Sequence, residues 1–291
     1  MMSGQLPVVV AVDGSEHALH AVRWAARTAA LIDAPLQVIS VTPPYVMQFS
    51  LTSAYAADTF VNAARNFAEA AVATAAEEAA AAAPKVAVTT EIIEGAPALT
   101  LRDVSHRARL LVLGRRGLGG VRGLLMGSVS TDAVAHANCP VVVISGATPE
   151  SGPVVVGVDG SPVSTAAIGA AFEWADWLRS PLTAVHTYGG TTGAAFYPDE
   201  FERLVRQLRE EAAEALGSQL AGYRENHPDV TVEPVVREGP PAEAIADLAE
   251  TAQLVVLGSR GRGGFRGLVL GSTSQAVLQT AACPVMVVHG S

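Results

Sequence analysis

Leu111–Gly146 reads LVLGRRGLGGVRGLLMGSVSTDAVAHANCPVVVISG, and Val255–Gly290 reads VVLGSRGRGGFRGLVLGSTSQAVLQTAACPVMVVHG. Aligned without gaps at an offset of 144, the two stretches are identical at 19 of 36 positions. Two further matches flank them. VVVAVDGS (Val8–Ser15) answers VVVGVDGS (Val154–Ser161) at an offset of 146, and EGAPA (Glu94–Ala98) answers EGPPA (Glu238–Ala242). Self-similarity of this kind divides the 291-residue chain into two copies of one unit. Each copy has the usual size for a core of its own. The expected domains are residues 1–146 and 153–291, joined by a linker over 147–152.

Each copy alternates strand-like and helix-like segments. Val8–Val12 is the apolar run of a strand buried on both faces. Ser15 and Glu16 open a helix that Asp33-Ala34-Pro35 ends. Leu36–Val41 predicts a second strand and residues 42–57 a loop. An alanine-rich helix then runs to Ala83, and a strand spans Val86–Ile93. A helix over Pro97–Arg107, a strand over Leu110–Leu113 and a glycine-rich loop over Gly114–Gly127 follow. Ser128 is expected to cap the last helix, before a final strand over Val141–Ile144. Five strands alternating with four helices predict an α/β fold, a doubly wound parallel sheet in each copy.

Each loop carries Gly-x2-Gly-x9-Gly-Ser: Gly114, Gly117, Gly127, Ser128 and Gly258, Gly261, Gly271, Ser272. The loop leaves the carboxyl end of the fourth strand, where open α/β sheets bind ligands. Glycine permits positive φ, expected here at Gly117 and Gly261, and lets an anion approach the backbone N–H groups. The following helix N-terminus also favours an anion. Three arginines fall in each loop: Arg115, Arg116, Arg122 and Arg260, Arg262, Arg266. A solubilising surface turn would account for one such loop. Two with the same spacing favour a phosphate cradle.

With these motifs, the VDGS segments and the CPV segments before each last strand, the chain resembles a tandem-domain universal stress protein over residues 7–146 and 153–290. The glycines point to the nucleotide-binding branch, because another branch of that family lacks them and binds none. The resemblance implies a Rossmann-like, adenine nucleotide alpha-hydrolase-like fold with strand order 3-2-1-4-5, the last strand at the edge, and one ATP per copy. It further implies adenine and ribose contacts from Ala11 and Asp13, and from Gly157 and Asp159. Backbone at Val41, and at its departure Thr187, would read the adenine edge. Phosphates would lie on Gly114, Arg115, Arg116, Gly117, Gly119, Gly120, Gly127, Ser128, Val129 and Ser130. In the second copy the set is Gly258, Ser259, Arg260, Gly261, Gly263, Gly264, Gly271, Ser272, Thr273 and Ser274. Ser259 stands in place of Arg115, so the two loops differ in charge at that position. Asp13 and Asp159 also have an ordinary alternative as helix-capping residues. Magnesium would enter through the phosphates, with no protein ligand assigned.

The resemblance favours a regulatory protein that signals through ATP occupancy, with at most slow hydrolysis and no catalytic residue assigned. The alternatives are a slow ATPase and an interaction module with vestigial sites. There is no Gly-x4-Gly-Lys-Ser/Thr, no kinase signature set and no strict Gly-x-Gly-x-x-Gly. A net charge of −9 argues against a general nucleic-acid partner. It is uneven: residues 1–146 carry 10 basic and 11 acidic side chains, residues 147–291 carry 9 and 17. No unbroken apolar stretch approaches about 18 residues, so no spanning helix is expected. The N-terminus lacks a signal-peptide pattern, and a cytoplasmic location is expected. His17 and His20 read as an exposed helix face, Cys139 and Cys283 as buried thiols, and Trp24, Trp174 and Trp177 as sheet-packing residues. The apolar loop Tyr45–Tyr55 reads as a lid, a partner surface or a loop folded on its own lobe. The short apolar last strands predict an internal pseudo-dimer and a further homodimer through their edges.

Overall fold

The computed structural model describes residues 5–42, 54–118, 126–146, 148–189, 198–262 and 270–290. The chain divides into two compact units, Met1–Ala147 and Thr148–Ser291. The first contains β1 (Val8–Ala11), α1 (Glu16–Leu31), β2 (Leu36–Thr42), α2 (Ala54–Ala82), β3 (Val88–Glu94), α3 (Pro97–Ser105), β4 (Leu110–Gly114), α4 (Ser128–His136) and β5 (Val141–Ile144). The second repeats the order with β6 (Val154–Gly157), α5 (Pro162–Leu178), β7 (Leu182–Tyr188), α6 (Pro198–Asn226), β8 (Val232–Glu238), α7 (Pro241–Ala249), β9 (Leu254–Gly258), α8 (Ser272–Thr280) and β10 (Val285–Val288).

In the first unit Val8 of β1 lies opposite both Leu36 of β2 and Leu110 of β4, all in parallel. With β3 beside β2 and β5 beside β4, the order is β3-β2-β1-β4-β5. The second unit has β8-β7-β6-β9-β10, again parallel throughout. These are the two doubly wound five-stranded sheets that the alternation predicted. Right-handed crossovers place α1 and α2 on one face of the first sheet and α3 and α4 on the other, because the chain steps away from β1 in opposite directions. The central strands are accordingly apolar on both faces: Val8, Val9 and Val10 are fully buried, as are Leu111 and Val112.

Helix α1 turns a stripe of small residues to the sheet: Ala18, Ala21, Val22, Ala25, Ala26 and Ala29 are buried at spacings of three and four. Ala75 and Ala79 of α2 continue that layer. Their short side chains bring helix and sheet close. In the second unit the corresponding layer is bulkier, with Ile168, Phe172, Leu216 and Leu220 buried. Phe172 stacks on Tyr223 at 5.5 Å between ring centroids, and the Tyr223 hydroxyl donates to the Thr165 carbonyl at 3.0 Å.

The structure revises several boundaries. Helix α2 begins at Ala54, inside the segment read as loop, because alanine-rich sequence already favours helix there; residues 43–53, with most of the apolar Tyr45–Tyr55 segment, lie outside the described residues. Strand β3 starts at Val88 and not Val86, whose N–H is spent on a turn to the Ala83 carbonyl at 3.1 Å. Ser128 and Ser272 do not cap their helices. Gly127 and Gly271 hold the N-cap positions, at φ −72° and −70°, with no side-chain cap. His17 and His20 are half-buried, not exposed. Trp174 is buried, with Trp177 edge-on to it at 5.5 Å, while Trp24 and Trp177 are half-buried. Cys139 and Cys283 are free and buried. Among the described residues no helix is long and apolar enough to cross a membrane.

Candidate functional site

The reversal of strand order falls between β1 and β4, where Ala11 lies opposite Leu113. The loops leaving these strands therefore diverge and leave a crevice. On the β1 side, Gly14 turns at φ +82° so that Ser15 can cap α1, its Oγ accepting from the Ala18 N–H at 3.2 Å. Gly160 (φ +76°) and Ser161, which accepts from the Ser164 N–H at 3.2 Å, repeat this before α5. The serines therefore do the capping, and the aspartates are left for another task.

That task joins the two sides of the crevice. Asp13 Oδ1 accepts from the Ser15 N–H at 3.1 Å, and Oδ2 accepts from the Leu118 N–H at 2.7 Å. Asp159 accepts from the Ser161 N–H at 2.9 Å and the Arg262 N–H at 2.8 Å. Each carboxylate thus ties the glycine loop to the turn after the first strand. Gly117 and Gly261 lie directly beneath this latch. A Cβ on Gly117 would fall on Asp13 Oδ2, and one on Gly261 on Asp159 Oδ2, closer than atoms approach. Neither glycine has positive φ, contrary to the expectation from turn chemistry. The positions exclude a side chain by close approach, not by backbone conformation.

The base of each loop is pinned by backbone. The Arg115 N–H donates to the Ile144 carbonyl at 2.8 Å, and the Gly127 N–H donates to the Arg115 carbonyl at 2.9 Å. The equivalent bonds, Ser259 to Val288 and Gly271 to Ser259, are both 2.8 Å. Ser130 Oγ donates to the Gly114 carbonyl at 2.8 Å and Ser274 Oγ to that of Gly258 at 2.7 Å, so α4 and α8 start against the strand ends. A Cβ on Gly127 would meet nothing nearer than 3.6 Å, and on Gly271 nothing nearer than 3.5 Å. The bare backbone leaves the helix N-terminus open, as an anion requires.

The result is a cavity of about 400 Å³ in the first unit and about 510 Å³ in the second, within the range of small-molecule sites. Of the residues singled out from sequence, the first cavity gathers Ala11, Asp13, Val41, Gly114, Arg116, Gly117, Gly127, Ser128, Val129 and Ser130. The second gathers Gly157, Asp159, Thr187, Gly258, Arg260, Gly261, Gly271, Ser272, Thr273 and Ser274. Arg115 and Ser259 do not line them; their backbone groups are committed to the loop base. Burial, then the neighbouring Arg116 charge, lowers the Arg115 pKa. Gly119, Gly120, Gly263, Gly264, Arg122 and Arg266 lie outside the described residues.

Other lining residues escaped the sequence reading. Pro97, Leu101 and Met126 close one side of the first cavity, and Pro241, Ile245 and Leu270 do so in the second. The recurrent EGAPA and EGPPA segments held the signal for the two prolines. The second cavity also exposes Ser164 and His186, likewise missed, and the loop arginine Arg262, where the repeat places Ala18, Ser40 and Leu118 in the first. Each cavity is thus polar and N–H-rich at the glycine loop and apolar toward α3 or α7. Among the described residues no three His, Cys, Asp or Glu side chains converge as a metal site.

The sequence profile of the universal stress protein family matches residues 6–145 and again residues 151–289. Universal stress protein Rv1996 of Mycobacterium tuberculosis is 38% identical over 305 residues, covering 97% of this chain and 94% of that protein. Universal stress protein Rv2005c of the same species is 37% identical over 298 residues, covering 98% and 97%. A crystal structure of a universal stress protein from Archaeoglobus fulgidus shares the fold, with a TM-score of 0.70 at 20% identity over 98% of both chains. A profile that fits each unit, and relatives aligned along nearly the whole length, agree with the repeated crevice: the chain belongs to the universal stress protein family.

Proposed function

We propose that each unit binds one ATP, and that nucleotide occupancy, with little or no turnover, is the signal this protein carries in a stress response. The observation that carries this reading is the repeated polarity of the two cavities. At one end a bare N-cap glycine, the first-turn serines and an arginine offer donors to a polyanion. At the other, Leu101 with Pro97, or Ile245 with Pro241, offers an apolar slot for a flat base. ATP supplies negative charge for the first end and a purine for the second. Asp13 and Asp159 already accept two backbone N–H groups each, so the carboxylates nearest the loop are poor candidates for activating water. This supports slow chemistry, well below the ~1–10³ s⁻¹ of ordinary enzymes.

Calorimetry with ATP tests the reading on the full chain and on Gly117→Glu, Gly261→Glu and the double variant. A side chain at either glycine displaces the latch carboxylate and with it the loop. Hydrogen bonds to charged groups contribute about 1.5–3 kcal/mol each, so affinity at the altered site should fall more than tenfold. The expected stoichiometries are near two, one, one and zero. Undiminished ATP binding by a folded double variant would refute the assignment.

A further inference from the structure

The two cavities differ in chemistry near the carboxyl end of the second strand of each unit. Val8 pairs with Leu36 and Val154 with Leu182, so β2 and β7 hold the same register and His186 stands where the first unit has Ser40. Ser40 is buried and does not line its cavity. His186 is half-buried and lines the second cavity between Val185 and Thr187, at the end away from the glycine loop. Its Nδ1 lies 2.6 Å from the Val158 carbonyl oxygen. A carbonyl only accepts, so Nδ1 carries the hydrogen. In the neutral ring Nε2 is then an acceptor without a hydrogen, and it lies across the imidazole from the atom anchored on Val158.

We propose that His186 is a base-reading residue of the second site, its Nε2 accepting an N–H from the exocyclic amino group of an aminopurine nucleotide. The inference rests on the nucleotide reading above. It adds that the second site selects for the amino group through a side chain, whereas Ser40, at that place in the first unit, does not line its cavity. The two units would then hold the same nucleotide with unequal stringency.

The probe is purine riboside 5′-triphosphate, which replaces the 6-amino group of ATP with hydrogen and leaves the ring, ribose and phosphates intact. Gly117→Glu exposes the second site alone to titration, and Gly261→Glu the first. One hydrogen bond lost without replacement predicts an ATP preference about tenfold larger in the second site than in the first. Adding His186→Phe to Gly117→Glu should bring the preference down to that of the first site while ATP still binds. His186→Ser, which installs the residue of the first unit, is the second variant should the phenyl ring disturb folding. Equal preferences at the two wild-type sites, or a preference untouched by either His186 substitution in a protein that still binds ATP, would overturn the inference and leave the nucleotide reading standing. Failure of both sites to bind ATP would remove the nucleotide reading and this inference with it.

Discussion

At Gly117 the obstacle to a side chain comes from Asp13, more than a hundred residues away in sequence and adjacent across the β1–β4 seam. This makes the glycine's importance conditional on its neighbour. Gly117→Ala should cost about 1 kcal/mol, the worth of the hydrogen bond it displaces. It should cost almost nothing when Asp13 is already Ala, a non-additivity that a double-mutant cycle in denaturant resolves. Additive effects would show that the latch does not constrain the glycine. Gly261 and Asp159 should behave alike. The thiols give a separate expectation. Burial pushes Cys139 up to about 12 and Cys283 up to about 11, against an ordinary value of 9.0. The reactive thiolate is therefore scarce at neutral pH, and maleimide should label neither residue in the native protein and both after unfolding. Rapid native labelling at either position would show an accessible, reactive thiol there. The glycine spacing, Ser15 at the start of α1 and the buried thiols were legible in sequence because they repeat or flank apolar runs. The latch was not, because nothing local joins Asp13 to Leu118.

Helices α1 and α2 are tied by Arg23 Nε on Glu78 Oε2 at 2.8 Å. The repeat puts Gly169 where α1 has Arg23, and there the bare glycine admits the Tyr223 ring, whose Cε1 would be 3.3 Å from a Cβ. At this position one helix pair is joined by charge and its counterpart by aromatic packing. The Arg23 hydrogen bond, followed by its charge, outweighs desolvation and holds the Glu78 carboxyl below its ordinary 4.5. A lowered folded value means that the stabilisation is complete above 4.5 and is lost as the pH falls through the lowered value. With 39% and 33% of the two side chains exposed, screening keeps the effect small, about 0.2–1 kcal/mol. Glu78→Gln should lower stability by that amount at pH 7 and abolish the difference at acid pH. A difference that persists below the titration of Glu78 would assign the loss to packing. Most elements were readable from the sequence because apolar runs and helix-stopping prolines mark them. The start of α2 and of β3 was not: alanine carries no face to show where a helix begins, and Val86 has strand propensity in a segment that turns.

Across the whole chain the sequence net charge is −9, and the half that contains the second site has 17 acidic residues against 9 basic. The local distribution opposes that trend. Among the described residues, Arg260 and Arg262 both line the second cavity, whereas Arg116 is the arginine lining the first, where Leu118 occupies the place of Arg262. The Arg262 guanidinium lies against Gly160, over the turn that leads into α5. A second arginine at the polar end should favour a triphosphate. Full charge-assisted bonding contributes about 1.5–3 kcal/mol, but this arginine is exposed, and screening in water reduces the gain to about 1 kcal/mol. The second site should therefore fill at roughly fivefold lower ATP than the first, with the steeper dependence on salt. Arg262→Leu, which installs the residue of the first unit, should remove that roughly fivefold share and the steeper salt dependence. It should leave the preference for ATP over purine riboside triphosphate unchanged, because that preference belongs to His186 at the other end of the cavity. Titration of the two single-site variants at low and high salt, with and without Arg262→Leu, measures each quantity. If Arg262→Leu leaves ATP affinity and salt dependence at the second site unchanged, Arg262 does not reach the phosphates and the different placement of arginine in the two loops has no bearing on the order in which they fill.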